Sequence, residues 1–268
     1  MREAATPSPP YGDDFYRLLG VTAEASARRV FPLLFGLLRP RSIVDVGCGD
    51  GSWLAVARAS GIADILGLEG PWIDEKRLKI PPSHFGRVRL DEPLAISRRF
   101  DLALSLEVAE HLPPERAPGF IAELTRLAPV VLFSAAVPGQ GGVDHKNEQW
   151  PRYWAELFSR DDYRGIDALR FRLWEDPEVA FWYKQNLILF AAAAAVAENP
   201  VLAAALSLSP AGPIAVVHPD LFCQTLRLSR PGLGRWLKMM PRVLRRSLGG
   251  GAAARAALTA RADNLRAR

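Results

Sequence analysis

Cysteine is almost missing from this chain: of 268 residues only Cys48 and Cys223 carry thiols. Neither belongs to a Cys-x-x-Cys pair or has a histidine at ligand spacing, which excludes a disulfide framework and a structural zinc site as organising devices. No pair of histidines or acids shows usable ligand spacing along the sequence, so no metal is expected. Long apolar runs are missing too. The longest, Leu187 to Ala197, has eleven residues, whereas a helix that crosses a bilayer needs about 20; it reads as a buried strand or helix. The first ten residues are polar and proline-rich, without the apolar stretch of a signal peptide. A cytoplasmic location is the expectation. There is no internal repeat.

What is present suits a globular enzyme. Hydrophobic residues make up 49% of the chain and charged ones 24%, enough for a continuous core in a single α/β domain with additions at its ends. The net charge of +5 hides an asymmetry. From Thr225 to Arg268 there are eleven Lys or Arg against one acid, Asp263, while the preceding 224 residues hold 23 bases and 28 acids. A mildly acidic body thus carries a strongly basic tail.

Hydrophobic periodicity divides the chain. Residues 1–13 read as a flexible leader, and Phe15 to Leu38 as one or two helices ending at Pro40. Short apolar strands then alternate with helices: Ser42 to Val46, Ile65 to Glu69, Arg87 to Leu90, Asp101 to Glu107, and Val130 to Val137. Helices are expected at Ser52 to Ser60, at Pro114 to Leu127, and from Pro151. Strands near Gly165 to Leu169 and Gln185 to Ala191 complete the set. Alternation in units of this size predicts a parallel sheet covered on both faces. The expected organisation is a helical N-terminal addition (1–40), a core (41–197) and a C-terminal extension with the basic tail (198–268), with a hinge at Gly249-Gly250-Gly251.

The segment Val44-Asp45-Val46-Gly47-Cys48-Gly49-Asp50-Gly51 joins the first strand to the first helix of the core. Alternating glycines let the backbone turn tightly and let a ligand approach where a Cβ would collide, and the next helix offers its N-terminal N–H groups to the same space. A dinucleotide fold prefers Gly-x-Gly-x-x-Gly. Here the third glycine of that pattern is replaced by Ser52, or by Leu54 if counting starts at Gly49, which argues against an NAD-dependent oxidoreductase.

Asp-x-Gly-x-Gly-x-Gly after a first apolar strand resembles the first motif of class I S-adenosylmethionine-dependent methyltransferases, over about Arg41 to Ala191. The nearest flavour is the bacterial small-molecule group related to the quinone-biosynthesis enzymes. The resemblance implies a Rossmann-like seven-stranded, mostly parallel sheet with a reversed last hairpin. It implies S-adenosylmethionine as cofactor and S-adenosylhomocysteine as product. On the same basis Asp45, Gly47, Cys48, Gly49 and Gly51 would cradle the cofactor. Glu69 would accept the ribose hydroxyls, and Asp91 would meet the adenine amino group. Ser105-Leu106-Glu107-Val108 with Glu110-His111-Leu112 matches the fourth motif, so Leu106, Glu107 and His111 would flank the methionyl part. One departure is Gly70, where the family often has a bulky apolar residue over the adenine; Trp72 can supply that face instead.

The acceptor side is read from the residues alone. Methyl transfer from a sulfonium needs alignment above all, and a hydroxyl acceptor profits from a base near neutrality. Of His84, His111, His145 and His218, the best placed is His145, which lies with Asn147 in the polar, glycine-rich loop just beyond the fifth strand, at the sheet edge that faces the ligand crevice. His145 is the candidate base; the alternative is that it and Asn147 only satisfy loop backbone. Trp150, Tyr153 and Trp154, with Trp174, Phe181, Trp182 and Tyr183, either line an acceptor pocket or pack in the core. Asn147, Trp150, Tyr153 and Tyr183 are the candidate acceptor contacts, with Gln185 and Asn186 pointing polar tips the same way. O-methylation of a sugar, lipid-linked glycan or secondary metabolite is therefore favoured, and a non-catalytic cofactor-binding protein is the alternative. Nucleic acid is not expected as a partner: the Asn/Asp-Pro-Pro-aromatic and Pro-Cys signatures of base methylases are absent and the body is acidic. The tail segment Arg235 to Arg246 alternates basic and apolar residues. It suits a peripheral membrane contact, an acidic partner, or packing onto the acidic body.

Overall fold

The computed structural model describes residues 13–229 and Met240. The expected leader, apart from Asp13, and the basic segment and glycine hinge of the tail, apart from Met240, lie outside the described residues. Among the described residues no helix is long and apolar enough to cross a membrane.

Seven strands form one sheet in the order β3-β2-β1-β4-β5-β7-β6. They are β1 (Ser42–Val46), β2 (Asp64–Glu69), β3 (Phe85–Arg87), β4 (Leu102–Leu106), β5 (Val130–Ser134), β6 (Tyr163–Ile166) and β7 (Ile188–Ala192). The first five are parallel, and β7 runs antiparallel to both β5 and β6. This is the seven-stranded sheet with a reversed last hairpin that was expected. The strand order reverses at β1, which pairs with β2 on one side and β4 on the other. Ligands of open α/β sheets bind beyond the strand C-termini at such a point.

Strand residues alternate between two cores because successive side chains point to opposite faces. Ile43, Leu104, Leu132 and Leu189 face a core shared with Phe31, Leu34, Trp53 and Leu54. These belong to α1 (Asp13–Leu37) and α2 (Ser52–Ala59). Val44, Ala103, Val131 and Phe190 face the other core, with Phe120, Leu124, Trp154 and Phe158. Those side chains come from α3 (Ala117–Leu127) and α4 (Pro151–Ser159). Helices therefore cover both faces, as the alternation predicts.

Several boundaries differ from the sequence reading. The N-terminal apolar pattern forms one helix, α1, with Pro32 inside it. The third strand is Phe85–Arg87 and the sixth Tyr163–Ile166, each a few residues earlier than expected. The larger change is at Phe181–Asn186, which forms helix α6 and not the start of the last strand. Six residues are too short for periodicity to separate one and a half helical turns from a strand, and Gln185 and Asn186 are buried there, the Gln185 amide donating to the Asn186 side-chain oxygen and the Asn186 amide to Glu107 and Gln140. After α5 (Arg170–Leu173) and α6, the apolar run splits into β7 and α7 (Ala193–Glu198), followed by α8 (Pro200–Leu208). Leu202 of α8 is buried, and one compact unit runs to Leu221, past the boundary expected at 197. The last described helix, α9 (Pro219–Ser229), starts within that unit. Of the unit that begins at Phe222, the described residues are 222–229 and Met240.

Candidate active site

The β1–α2 turn is built by three glycines in left-handed backbone: Gly47 (φ 87°), Gly49 (φ 56°) and Gly51 (φ 79°). They are glycines for different reasons. A Cβ on Gly47 would stand 2.3 Å from Val108 Cγ2, and one on Gly51 2.9 Å from Ile80 Cγ1, so those two keep the turn close to its own protein. A Cβ on Gly49 would meet nothing within 4 Å. That backbone borders open space, where an outside ligand can approach it. Cys48 is buried, its sulfur beside Gly67 and donating to the Gly49 carbonyl at 3.7 Å. Asp50, just before the N-cap Gly51 of α2, accepts the Ser52 amide at 3.0 Å.

Two acids stand beside the turn. Glu69, at the end of β2, accepts the Gly49 amide at 3.0 Å and the Gly70 amide at 2.7 Å. Burial raises its pKa while these two amides oppose the rise. Asp45 is buried at the end of β1, and burial followed by the nearby Glu69 pushes its carboxyl well above the usual range. Gly70 is explained by Trp72, whose ring would lie 2.1 Å from a Cβ placed there; the indole lies against the strand end beside Glu69. Asp91 is half-exposed and paired with Arg89 at 2.7 Å.

S-adenosylmethionine, the group implied by the sequence resemblance, fits this cradle on three counts. The Gly49 main chain is open, the first turn of α2 presents amides, and Glu69 retains acceptor capacity beyond the two amides it already holds.

The second half of the site follows β4. Leu106 ends the strand, and Glu107 takes a left-handed backbone (φ 56°). The Glu107 carboxylate accepts the side-chain amides of Gln140 at 2.9 Å and Asn186 at 3.1 Å. Gln185 donates to Gln140 at 3.1 Å, tying α6 into the same network. A short turn, Ala109–His111, comes next. Lys146 and Asn147 donate their amides to the Glu110 carbonyl at 2.7 and 2.9 Å, which folds the 139–149 loop back over that turn. His145 is thereby brought against His111, the rings meeting edge to face with centroids 4.8 Å apart. His145 Nδ1 lies 2.9 Å from Glu148, whose other donors are the Gly139 and Gly141 amides, both at 2.8 Å. Burial opposes ionisation of Glu148, yet these hydrogen bonds prevail and its pKa is lowered. The His145 ring also covers Gly142, where a Cβ would stand 2.1 Å from Nε2.

Of the residues singled out in the sequence, Asp45, Gly47, Cys48, Gly49, Gly51, Glu69 and Gly70 come together at the ends of β1 and β2, and Leu106, Glu107, His111, His145 and Asn147 at the end of β4. The acceptor candidates disperse. Asn147 is 2% exposed with its Nδ2 unpartnered. Trp150 is 42% exposed at the start of α4, and Tyr153 meets the buried Trp154 edge to face. Tyr183 is in the core on the other side of the sheet, its hydroxyl 3.3 Å from Trp53 Nε1. Burial raises the Tyr183 pKa, and the charges of Glu107 and Asp45 reach it.

Sequence reasoning placed Glu110 in the fourth motif and Gln140 in the glycine-rich loop but gave neither a role. Glu110 is 0% exposed, and neither carboxylate oxygen has a hydrogen-bond partner. Its signal was visible as an acid wedged between apolar neighbours and a histidine, in Val108-Ala109-Glu110-His111-Leu112.

A family model described as a methyltransferase domain matches residues 21–166. No curated protein matches the chain. Among solved structures, the sugar N-methyltransferase KedS8 from Streptoalloteichus sp. ATCC 53650 is similar at 15% identity, over 72% of this chain and 99% of that one, with a TM-score of 0.52. Magnesium protoporphyrin IX methyltransferase (ChlM) from Synechocystis PCC 6803 is 17% identical over 69% of this chain and 88% of its own, with a TM-score of 0.49. The methyltransferase domain of bacterial CtHen1 is 18% identical over 63% of this chain and 98% of its own, with a TM-score of 0.45. At these identities the likeness is one of fold.

Proposed function

The chain belongs to the methyltransferase-domain family, and we propose that it transfers the methyl group of S-adenosylmethionine to an oxygen atom of a small-molecule acceptor. The observation that carries this reading is the contact between the two halves of the site. Gly47 of the cofactor turn packs directly on Val108, two residues before Glu110 and three before His111. The cradle and the histidine cluster therefore adjoin.

The bound cofactor supplies an electrophilic methyl on a sulfonium. The chain's residues bind and orient it. Glu69 accepts the ribose hydroxyls, the Gly49 backbone admits the amino-acid portion, and Trp72 presents a flat face near the base. The amide network of Gln140, Gln185 and Asn186 fixes Glu107 beside the methionyl part. Holding donor and acceptor in line supplies much of the acceleration. An acceptor hydroxyl must lose its proton as it attacks, and His145 is where we place its activation. Its ring is fixed by Glu148 and by the covering of Gly142. The polar lining contributed by Asn147, and the exposed Trp150, fit an acceptor with both hydroxyls and an apolar face, such as a sugar-bearing or secondary metabolite.

Calorimetric titration with S-adenosylmethionine and S-adenosylhomocysteine tests the first half, with binding expected in the micromolar range. Incubation with labelled S-adenosylmethionine and a panel of hydroxyl-bearing glycosides and phenols tests the second. Product expected from an oxygen acceptor should fall at least about a hundredfold in His145→Ala. A folded protein that binds neither cofactor form defeats the whole reading, and methylation only at nitrogen or carbon defeats the oxygen assignment.

A further inference from the structure

The irregular segment that follows α8, residues 209–218, lies beyond the 21–166 stretch matched by the methyltransferase-domain model. We infer that it belongs to the active site all the same: the main chain of His218, acting through Gln185, sets the orientation of the Glu107 carboxylate. Gln185 is then a positioning residue. The inference rests on the methyl-transfer reading for what Glu107 faces, the methionyl part of the cofactor.

Glu107 is reached by a chain of hydrogen bonds whose two ends fix its direction. At one end the His218 main-chain N–H, which can only donate, meets Gln185 Oε1 at 2.8 Å. Gln185 is 0% exposed. With its oxygen so engaged, its NH2 group donates to Gln140 Oε1 at 3.1 Å and to Asn186 Oδ1 at 3.0 Å. Those two side chains turn their own NH2 groups to Glu107, at 2.9 Å from Gln140 and 3.1 Å from Asn186. At this far end the ionised carboxylate can only accept. Turning over any one amide would set donor against donor and acceptor against acceptor in a buried place, which is costly. Burial raises the Glu107 pKa and the Asn186 and Gln140 amides oppose the rise, so the chain of bonds favours the charged carboxylate.

The segment is held firmly enough to serve as the fixed end. Arg170, 0% exposed, pairs with Asp167 through Nε at 2.9 Å and through Nη2. Its Nη1 donates to the Gln185 carbonyl at 2.8 Å and its Nη2 to the Ile214 carbonyl at 2.9 Å. One buried guanidinium thereby binds the last turn of α6 and the segment at once, using the fork of donors that lysine lacks. Ser209 secures the segment's other end, its hydroxyl accepting the Asp167 amide at 3.0 Å. The His218 ring meets Trp174 with centroids 4.7 Å apart. Its Nδ1 accepts the Asp220 amide at 3.2 Å, so Nε2 carries the hydrogen that goes to the Trp174 carbonyl at 3.1 Å. Ring and main chain are both committed, and the His218 N–H stays where Gln185 needs it. A charged carboxylate held toward the methionyl part attracts the cationic sulfonium of S-adenosylmethionine more than the neutral thioether of S-adenosylhomocysteine.

Calorimetry of full-chain variants with both cofactor forms tests this. Gln185→Met keeps the length of the side chain and removes its hydrogen bonds. His218→Phe keeps a ring against Trp174 and removes the two ring bonds that hold the main chain. S-adenosylmethionine binding is expected to weaken at least about tenfold in Gln185→Met and about threefold in His218→Phe, and more than S-adenosylhomocysteine binding does. The deciding comparison is made in a Glu107→Gln background, where the group being positioned is gone. There each substitution should change affinity by less than about twofold. Losses that repeat in full in that background show packing alone and overturn the inference, as does parental affinity in either folded variant. Circular dichroism and urea denaturation report folding, and Gln140→Met, in the half-buried loop, carries the same test if Gln185→Met does not fold. A folded parent chain that binds neither cofactor form removes the methyl-transfer reading and this inference with it, whereas binding by the parent with unchanged variants removes this inference alone.

Discussion

Gly47 and Val108 share a space that one side chain fills. A Cβ on Gly47 would lie 2.3 Å from one methyl of Val108 and 2.9 Å from the other. Val108 is buried, so neither methyl can swing into solvent. This contact joins the β1–α2 turn to the segment that bears Glu110 and His111, and it ties cofactor geometry to acceptor geometry through a single packed pair.

Gly47→Ala is therefore expected to cost about 2–4 kcal/mol, from overpacking against Val108 and from the φ of 87° that an alanine resists. Adding Val108→Ala should recover the packing part and leave the backbone part. Urea denaturation of the two single variants and the double variant measures this as a coupling of about 1–2 kcal/mol. Strict additivity would show that the two residues do not share the space.

Gly49→Val should behave in the opposite way. No protein atom lies within 4 Å of the new Cβ, so the stability loss is confined to left-handed backbone strain of about 1–3 kcal/mol. The branched side chain projects into the opening assigned to the cofactor. Calorimetry is expected to show S-adenosylhomocysteine binding reduced at least about a hundredfold in a variant that still melts cooperatively. Retained affinity would place the cofactor elsewhere.

The difference between these two glycines was not legible in the sequence, although the motif was. Spacing along five residues is local information, and so were the acid at Glu69 and the alternation that gave the sheet its seven strands. The roles of Gly47 and Gly49 depend on what stands opposite, Val108 in one case and open space in the other. The same holds for His145. Its loop position could be read, but its meeting with His111 depends on the Lys146 and Asn147 amides finding the Glu110 carbonyl, a closure over more than 30 residues. Tyr183 was misplaced for a third reason. A helix over Phe181–Asn186 turns it toward Trp53, where a strand would have given another direction.

Glu69→Gln tests the ribose assignment without removing volume. The amide keeps one carbonyl oxygen for the Gly49 or Gly70 donor but loses the charge-assisted acceptors. A hydrogen bond to a charged group is worth about 1.5–3 kcal/mol, so cofactor affinity should fall about tenfold to a hundredfold. Adenosine, which retains the ribose, should lose affinity in the same proportion. Unequal losses would move Glu69 to the amino-acid end of the ligand.

Tyr163 offers a pH test of the fold that is independent of the site. Its hydroxyl, at the start of β6, lies 2.9 Å from the Thr125 carbonyl and 2.7 Å from that of Ala128, satisfying the carboxyl end of α3. Burial pushes its pKa up to about 12 from an ordinary 10.0. The neutral phenol is the form the folded state prefers, so the stabilisation is complete below pH 10 and is lost as pH rises from 10 toward 12. Tyr163→Phe should thus be about 1–2 kcal/mol less stable near pH 8. Two pKa units correspond to about 2.7 kcal/mol, enough to cancel that advantage, so the two proteins should converge in stability by about pH 12. Denaturant curves of both across this range read the difference directly, other titrations being common to the pair. A gap that stays constant with pH would mean that the Tyr163 phenol ionises as readily in the folded chain as in the unfolded one.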